Sequence, residues 1–406
     1  MKRRPRESDK LAIPDKKSLS PVTEGDIGIV LSGGGARAAY QVGALKALIP
    51  YLKKESNPIG VIVGSSIGAI NGLLVSACLD QGIDYAVSII EDLWRERNFR
   101  NTFSGSPSRA FFRAIKLAVI QYMAPGPDPT SDAVFDPSPL MQKVDSVLRS
   151  HGGLSPENRH PKLKSVAVMT TKEGIKERKP LLFLSSHTDI DNELLKGASF
   201  EVYRVDELHA VHGFASAALP SVLPPVEIDT DDGKIRLVDG GIAQNVPVDP
   251  CVRLGASRVI LVDVSGRDWW LDRYNESHDT RPSWEIPAGY ETFCIRPPDT
   301  FVIRCQKPLG PVLKEAVSGS TRKFIAAVGP TWPVFSLLKN KLGEDVAYET
   351  MTYVALDQDY LRLLIEQGYN ETIQLLRNKK EPAFHQHKTM EEVVEAVSQP
   401  LEPQKS

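Results

Sequence analysis

Val61-Ile62-Val63-Gly64-Ser65-Ser66-Ile67-Gly68 is the stretch on which the fold turns. Three β-branched apolar residues read as a short buried strand, and the glycines and serines after them predict a sharp turn. Beyond the turn, Ile70, Leu73, Leu74 and Ala77 recur at helical spacing. The same order stands just upstream. Ile27-Gly28-Ile29-Val30-Leu31 is a strand candidate, Ser32-Gly33-Gly34-Gly35 a glycine turn, and Val42, Leu45, Leu48 and Ile49 share one helical face. Two strand–glycine turn–helix units in succession predict a parallel, doubly wound α/β sheet. Further strands are predicted at Ser165 to Met169, Leu181 to Leu184, Ile235 to Val238 and Val259 to Val264. The last two are apolar and rich in β-branched residues, as strands buried on both faces should be.

The rest of the chain divides by composition. Residues 1–24 are rich in Lys, Arg, Pro, Ser and Asp and predict a disordered basic tail. Residues 25–265 hold the strand–helix units and form the expected main domain. Residues 266–378 read as an extension, irregular at first and then helical, with Leu361, Leu364, Ile365, Ile373 and Leu376 in helical period. Residues 379–406 return to polar sequence and read as a tail with one short amphipathic piece at Met390 to Val397. An insertion before Ser165 places Phe111, Ile115, Val119 and Tyr122 on one helical face, expected to pack in the core rather than form a lid. Trp269 and Trp270 are expected to bury against the sheet edge.

Bulk properties exclude several function classes. The chain has 406 residues, 41% hydrophobic and 25% charged, enough to bury a core without disulfides or metals. A net charge of -2 supplies no field that would draw it to nucleic acid. Lys2, Arg3, Arg4 and Arg6 are followed by no apolar stretch, so no cleavable signal peptide is expected. No apolar run reaches the roughly 18 residues of a transmembrane helix. Cys78, Cys251, Cys294 and Cys305 lack CxxC or zinc-like spacing and read as reduced thiols of a cytoplasmic protein. No His, Cys, Asp or Glu cluster has metal-ligand spacing, so neither a metal, calcium included, nor another cofactor is expected.

Three motifs carry chemistry. Gly64-Ser65-Ser66-Ile67-Gly68 fits GxSxG, in which a nucleophile on a crowded strand-to-helix turn needs small neighbours. The turn sets Ser66 at a helix N-terminus, where peptide dipoles favour developing negative charge. Ser65 does not satisfy the spacing. Gly33-Gly34-Gly35 can turn backbone N–H groups toward one point, to hold a phosphate or an oxyanion. A dinucleotide site would want glycine where Ala38 stands and an acidic residue after a second strand; a Walker loop would want Gly-Lys-Ser/Thr. The oxyanion use fits better, because a nucleophile turn follows in the next unit. Asp239-Gly240-Gly241 ends the strand Ile235 to Val238 and aims a carboxylate at the same sheet edge.

In order and context, Gly33-Gly34-Gly35-Ala36-Arg37, Gly64-Ser65-Ser66-Ile67-Gly68 and Asp239-Gly240-Gly241 resemble the motifs of patatin-like phospholipases. Ala215-Ser216-Ala217-Ala218-Leu219-Pro220 and Asn245-Val246-Pro247 resemble the segments flanking that family's aspartate. The resemblance covers roughly residues 25–265, and Ala38 departs from it where the family has a further glycine. It implies a three-layer α/β/α sandwich around a mostly parallel central sheet. It further implies a Ser–Asp dyad working without histidine. Ser66 would attack a lipid ester carbonyl and Asp239 would accept its proton. The N–H groups of Gly33, Gly34 and Gly35 would hold the oxyanion, with Arg37 lending charge or structural support. The implied partner is a lipid substrate at a membrane surface. The alternatives are an α/β-hydrolase-type triad using His278, His385 or His387, and a non-catalytic module whose glycine loop holds an anion. His209 and His212 precede Asp239 and break the triad's chain order.

Overall fold

A computed structural model of the chain describes residues 27–54, 59–104, 133–173, 178–187, 195, 198–220, 222–230, 233–265, 297–318, 320–378 and 380–398. Nine strands form one sheet: β1 (Ile27–Leu31), β2 (Ile59–Ser65), β3 (Ser165–Glu173), β4 (Arg178–Ser186), β5 (Glu201–Arg204), β6 (Val226–Thr230), β7 (Gly233–Val238), β8 (Arg258–Asp263) and β9 (Asp299–Arg304). Their order is β5-β4-β3-β2-β1-β8-β9, with the β6–β7 hairpin attached at β3. From β3 to β9 along this path every pairing is parallel; β4 runs antiparallel to β3. The sheet is mostly parallel, as the sequence predicts.

The helices that matter to the site are α1 (Ala39–Lys54), α2 (Ile67–Cys78), α3 (Ile83–Arg95), α4 (Ser138–Ser150), α5 (Ala210–Ser216), α6 (Val248–Arg253), α7 (Glu344–Met351), α8 (Gln358–Leu375) and α9 (Met390–Ser398). Successive strand residues point to opposite faces, and here both faces are buried. Ile27, Ile29 and Leu31 of β1, with Ile260 and Val262 of β8, join a core shared with α1, α2, α3 and α8. Val30, Val61, Val63, Val259 and Leu261 face a second core closed by α6 and α9. Helices on both faces of the sheet make the three layers.

Three expectations are corrected. Ile235 to Val238 is no doubly buried parallel strand. Its strand, β7, pairs antiparallel with β6 over five residues and touches β3 only at Thr171 and Lys172. The charges of Lys234 and Arg236, alternating with Ile235 and Leu237, suit a hairpin with one wet face. Residues 379–406 are not simply a polar tail: Met390, Val393 and Val397 of α9 are buried in the second core. The irregular first part of the extension contributes an edge strand, β9, in parallel register with β8. Helix α8 of the extension shares the first core with α1. The face of Phe111, Ile115, Val119 and Tyr122, together with Trp269, Trp270, His278 and Cys294, lies outside the described residues.

Candidate active site

The site forms at the carboxyl ends of β1, β2 and β3. Ser66 sits between β2 and α2 as the N-cap of that helix, with φ 52° and ψ −134°. Among the described residues only Ser66 and Asn378 combine a side chain with positive φ. Such a backbone costs about 1–3 kcal/mol and persists only where the surroundings impose it. They do so here. The Ser66 N–H donates to Ser216 Oγ at 2.7 Å, and Ser216 Oγ in turn donates to the Met169 carbonyl at 2.5 Å. Gly64 and Gly68 pack backbone to backbone around the turn. A Cβ on Gly64 would lie 2.5 Å from Ala69 Cα, and one on Gly68 would lie 2.4 Å from the Leu31 carbonyl oxygen.

Asp239 reaches Ser66 from the end of β7. Ser66 Oγ donates to Asp239 Oδ2 at 2.6 Å, and the Gly241 N–H donates to Oδ1 at 2.7 Å. The main chain of Asp239 is fixed as well, its N–H to the Ala218 carbonyl and its carbonyl to Thr171 Oγ1. Gly240 lies against the Met169 carbonyl, where a Cβ would approach to 2.1 Å, and its N–H donates to the Ser216 carbonyl. Asp239 is 5% exposed. Burial raises its pKa to about 6, against the opposing effect of the hydrogen bonds from Ser66 and Gly241. A carboxyl with that pKa is mostly ionised at neutral pH yet far more basic than a solvated aspartate.

The glycine loop follows β1. Gly35 has φ +57°, and a Cβ there would stand 2.2 Å from the Tyr353 carbonyl oxygen. A Cβ on Gly33 would meet Asn245 Oδ1 at 2.2 Å and Ser66 Cβ at 2.8 Å, so only glycine lets the loop approach the serine so closely. The N–H of Gly33 already donates to the Asn245 carbonyl at 3.2 Å, which removes it from the three expected donors. The N–H groups of Gly34 and Gly35 have no hydrogen-bond partner among the described residues. Arg37 is bonded to the end of α7 and the residue just beyond it. Its guanidinium, 1% exposed, binds Glu349 Oε1 at 2.9 Å and Thr352 Oγ1 at 2.6 Å and stacks 3.7 Å from the Tyr353 ring centroid.

These groups open on a cavity of about 380 Å³ whose wall includes Phe99, Phe103, Phe135, Leu140, Phe214 and Leu223. Such a mostly apolar chamber with a few polar groups at one point suits an acyl chain carrying an ester. His385 and His387 are elsewhere. His385 pairs with the main chain of Thr300, and Thr300 Oγ1 contacts His387 Nε2 at 2.8 Å. Thr300 is near the start of β9, level with Val259, so both histidines lie at the opposite end of the parallel strands from Ser66. Among the described residues no three His, Cys, Asp or Glu side chains gather as metal ligands would.

Sequence reading missed Ser216 and Asn245 as parts of the site, although both stand in segments flanking Asp239. It missed Tyr353 altogether, because no local pattern ties residue 353 to residue 35.

A family model described as "Patatin-like phospholipase" matches residues 29–252. A patatin-like phospholipase domain-containing protein of Caenorhabditis elegans is 28% identical over 256 residues, 62% of this chain and 15% of that protein. The Drosophila melanogaster protein called neuropathy target esterase is 25% identical over 265 residues, 62% of this chain and 14% of that one. The chain thus spans about 15% of the length of these curated relatives. Among solved structures, VipD of Legionella pneumophila aligns over 86% of this chain and 66% of its own at 15% identity and a TM-score of 0.35. Human GIVD cytosolic phospholipase A2 aligns over 86% and 63% at 12% identity, also with a TM-score of 0.35.

Proposed function

Because the chain belongs to the patatin-like phospholipase family, we propose that it hydrolyses carboxylic esters of phospholipids or related lipids through Ser66 and Asp239. The observation that carries this reading is the 2.6 Å hydrogen bond from Ser66 Oγ to Asp239 Oδ2. The Ser66 proton has a receiver in place, and that receiver is basic enough to take it near neutral pH.

The steps follow from the placement. Ser66 Oγ attacks the ester carbonyl as its proton passes to Asp239 Oδ2. Negative charge develops on the carbonyl oxygen, where the N–H groups of Gly34 and Gly35 and the N-terminus of α2 stabilise it. Loss of one such donor costs on the order of 3–4 kcal/mol in the transition state. The alcohol leaves with the proton held by Asp239. Water then attacks the acyl-serine, giving its proton to Asp239, and the fatty acid departs as Ser66 recovers its own. Asn245 keeps the loop close, its Nδ2 donating to the Gly33 carbonyl at 3.4 Å.

A non-catalytic anion-binding loop would need neither the strained Ser66 nor its carboxylate partner. No helix among the described residues is long and apolar enough to cross a membrane. We place the enzyme at the surface of lipid assemblies because the proposed substrates are lipids. The free thiols of Cys78, Cys251 and Cys305 support a reducing, cytoplasmic setting. A fluorophosphonate probe tests the core of the proposal. Wild type should be labelled and Ser66→Ala should not; equal labelling of the two would remove Ser66 from the chemistry.

A further inference from the structure

Asn245 lines the same cavity as Ser66 and Asp239. Both main-chain groups of Gly33 hold it. The Gly33 N–H donates to the Asn245 carbonyl at 3.2 Å, and Asn245 Nδ2 donates to the Gly33 carbonyl at 3.4 Å. With Nδ2 turned to Gly33, the side-chain oxygen Oδ1 is the end left over. Two glycines make room for it. A Cβ on Gly33 would lie 2.2 Å from Asn245 Oδ1 and 2.8 Å from Ser66 Cβ. A Cβ on Gly241 would lie 2.5 Å from Asn245 Oδ1 and 2.9 Å from Asp239 Oδ1. No side chain therefore separates Asn245 Oδ1 from either member of the dyad. Among the described residues nothing donates to this oxygen, yet it is not sealed in protein as the unpartnered Ser65 Oγ and Gln244 Oε1 are.

Acylation and deacylation ask different things of such a site. In acylation the proton to be removed belongs to Ser66, and its hydrogen bond to Asp239 Oδ2 already aims it. In deacylation the proton belongs to a water, which can turn. One carboxylate oxygen accepts one O–H and leaves the other free, so the lone pairs of the water sweep past the acyl carbon. A second acceptor fixes both O–H groups and so fixes the lone pairs. Once Ser66 is acylated its Oγ carries no proton, and Asp239 Oδ2 is released to accept from water. Asn245 Oδ1 is the second acceptor, within 3 Å of the same point beside Gly241 as Asp239 Oδ1.

We propose that Asn245 Oδ1, together with Asp239, holds the water that hydrolyses the acyl-enzyme. This rests on the reading of Ser66 and Asp239 given above. The water oxygen bonds to the acyl carbon while one of its protons passes to Asp239. The other proton stays on that oxygen, hydrogen-bonded to Asn245. The bond from the acyl carbon to Ser66 Oγ then breaks, its electron pair returns to Oγ, and Oγ takes the proton back from Asp239 as the acid departs. Asn245 neither gains nor loses a proton, and its effect falls on the second half of the reaction.

Asn245→Ala and the nearly isosteric Asn245→Leu both remove the acceptor and differ in the volume they leave. With p-nitrophenyl butyrate, stopped-flow release of p-nitrophenolate reads acylation. Rapid-quench mass spectrometry of the butyryl adduct on Ser66 reads deacylation. In both variants the adduct should decay about tenfold more slowly or worse, while its formation stays within about threefold of wild type. A fluorophosphonate reacts with Ser66 without water, so its labelling rate should also stay within about threefold. Hydroxylamine attacks before it loses a proton and needs no second acceptor. It should discharge the adduct of the variants within about threefold of the wild-type rate. Asn245→Leu carries the test if Asn245→Ala does not fold. Formation or labelling slowed as much as decay would make Asn245 a holder of the glycine loop only, and overturns the proposal. Failure of hydroxylamine to discharge the variants overturns it too. An adduct that decays as fast in the variants as in wild type sinks this proposal alone, whereas no adduct on Ser66 in wild type sinks the Ser66 reading and this one with it.

Discussion

The backbone N–H of Ala36 donates to the carbonyl oxygen of Tyr353 at 2.8 Å. The glycine loop at the end of β1 is therefore held by a segment more than three hundred residues downstream. Tyr353 reaches back through its hydroxyl to the Ser265 carbonyl at 2.6 Å, and its ring carries the Arg37 guanidinium. The C-terminal helices thus shape the loop as well as extending the core. Their removal should disturb Gly34 and Gly35 before it disturbs the sheet.

Glu349→Ala tests that coupling. Glu349 is the carboxylate partner of buried Arg37 and also accepts from the N–H groups of Leu309 and Gly310. Its loss takes a bonded carboxylate away from a buried cation, for which about 3–5 kcal/mol of destabilisation is expected. Urea denaturation reads the change. A loss under about 1 kcal/mol would mean that the pair does not hold the two parts together.

Asp239 sets opposite demands on activity and stability. In the proposed mechanism its ionised form is the base, so kcat/KM should rise with pH through about 6 and level off above it. The folded pKa lies above the unfolded value near 3.9, so the unfolded chain holds fewer protons between pH 4 and 6. Stability linked to this group is then highest below pH 4, falls as pH rises to about 6, and stays low beyond. Asp239→Asn should lose nearly all turnover while gaining up to roughly 3 kcal/mol at pH 7, a gain that vanishes near pH 4. Paired denaturation curves at the two pH values decide it.

What the sequence disclosed depended on how local each cause is. The β1 and β2 units are written in consecutive residues, so strand, turn and helix could be read directly, and Ser66 with them. Asp239 was found as a strand-end carboxylate, but the direction of β7 was not, because pairing with β6 and β3 is a long-range matter. β9 stayed hidden behind Pro297 and Pro298, which read as loop. Gly33 was expected to donate to an oxyanion; its N–H is taken by Asn245, a contact across more than two hundred residues. Ser216 and Tyr353 acquire their parts only in space.

The histidines permit a sharp negative test. A triad would need one beside Asp239, yet His385 and His387 are bound to Thr300 at the far end of the parallel strands. The double substitution His385→Gln and His387→Gln should leave kcat/KM within about twofold, as surface changes distant from the chemistry do. A loss of a hundredfold or more in a folded variant would reinstate histidine as the base.

Ser216 supports the serine turn without touching the expected position of the substrate carbonyl. Its Oγ accepts from the Ser66 N–H and donates to the Met169 carbonyl, so one hydroxyl ties β3 to the turn that carries Ser66. Ser216 is fully buried. Ser216→Ala removes an acceptor from a backbone held at φ 52° and leaves the Ser66 N–H without its partner. About 1–3 kcal/mol of stability should be lost on that account. The Ser66 backbone would then relax toward an ordinary conformation and carry Oγ away from Asp239. We expect kcat to fall by about tenfold to a hundredfold with KM little changed, because positioning at the reacting atom is what is lost. Ser216→Thr, which keeps the hydroxyl, should recover part of kcat. A rise in KM at constant kcat would place Ser216 in substrate binding instead.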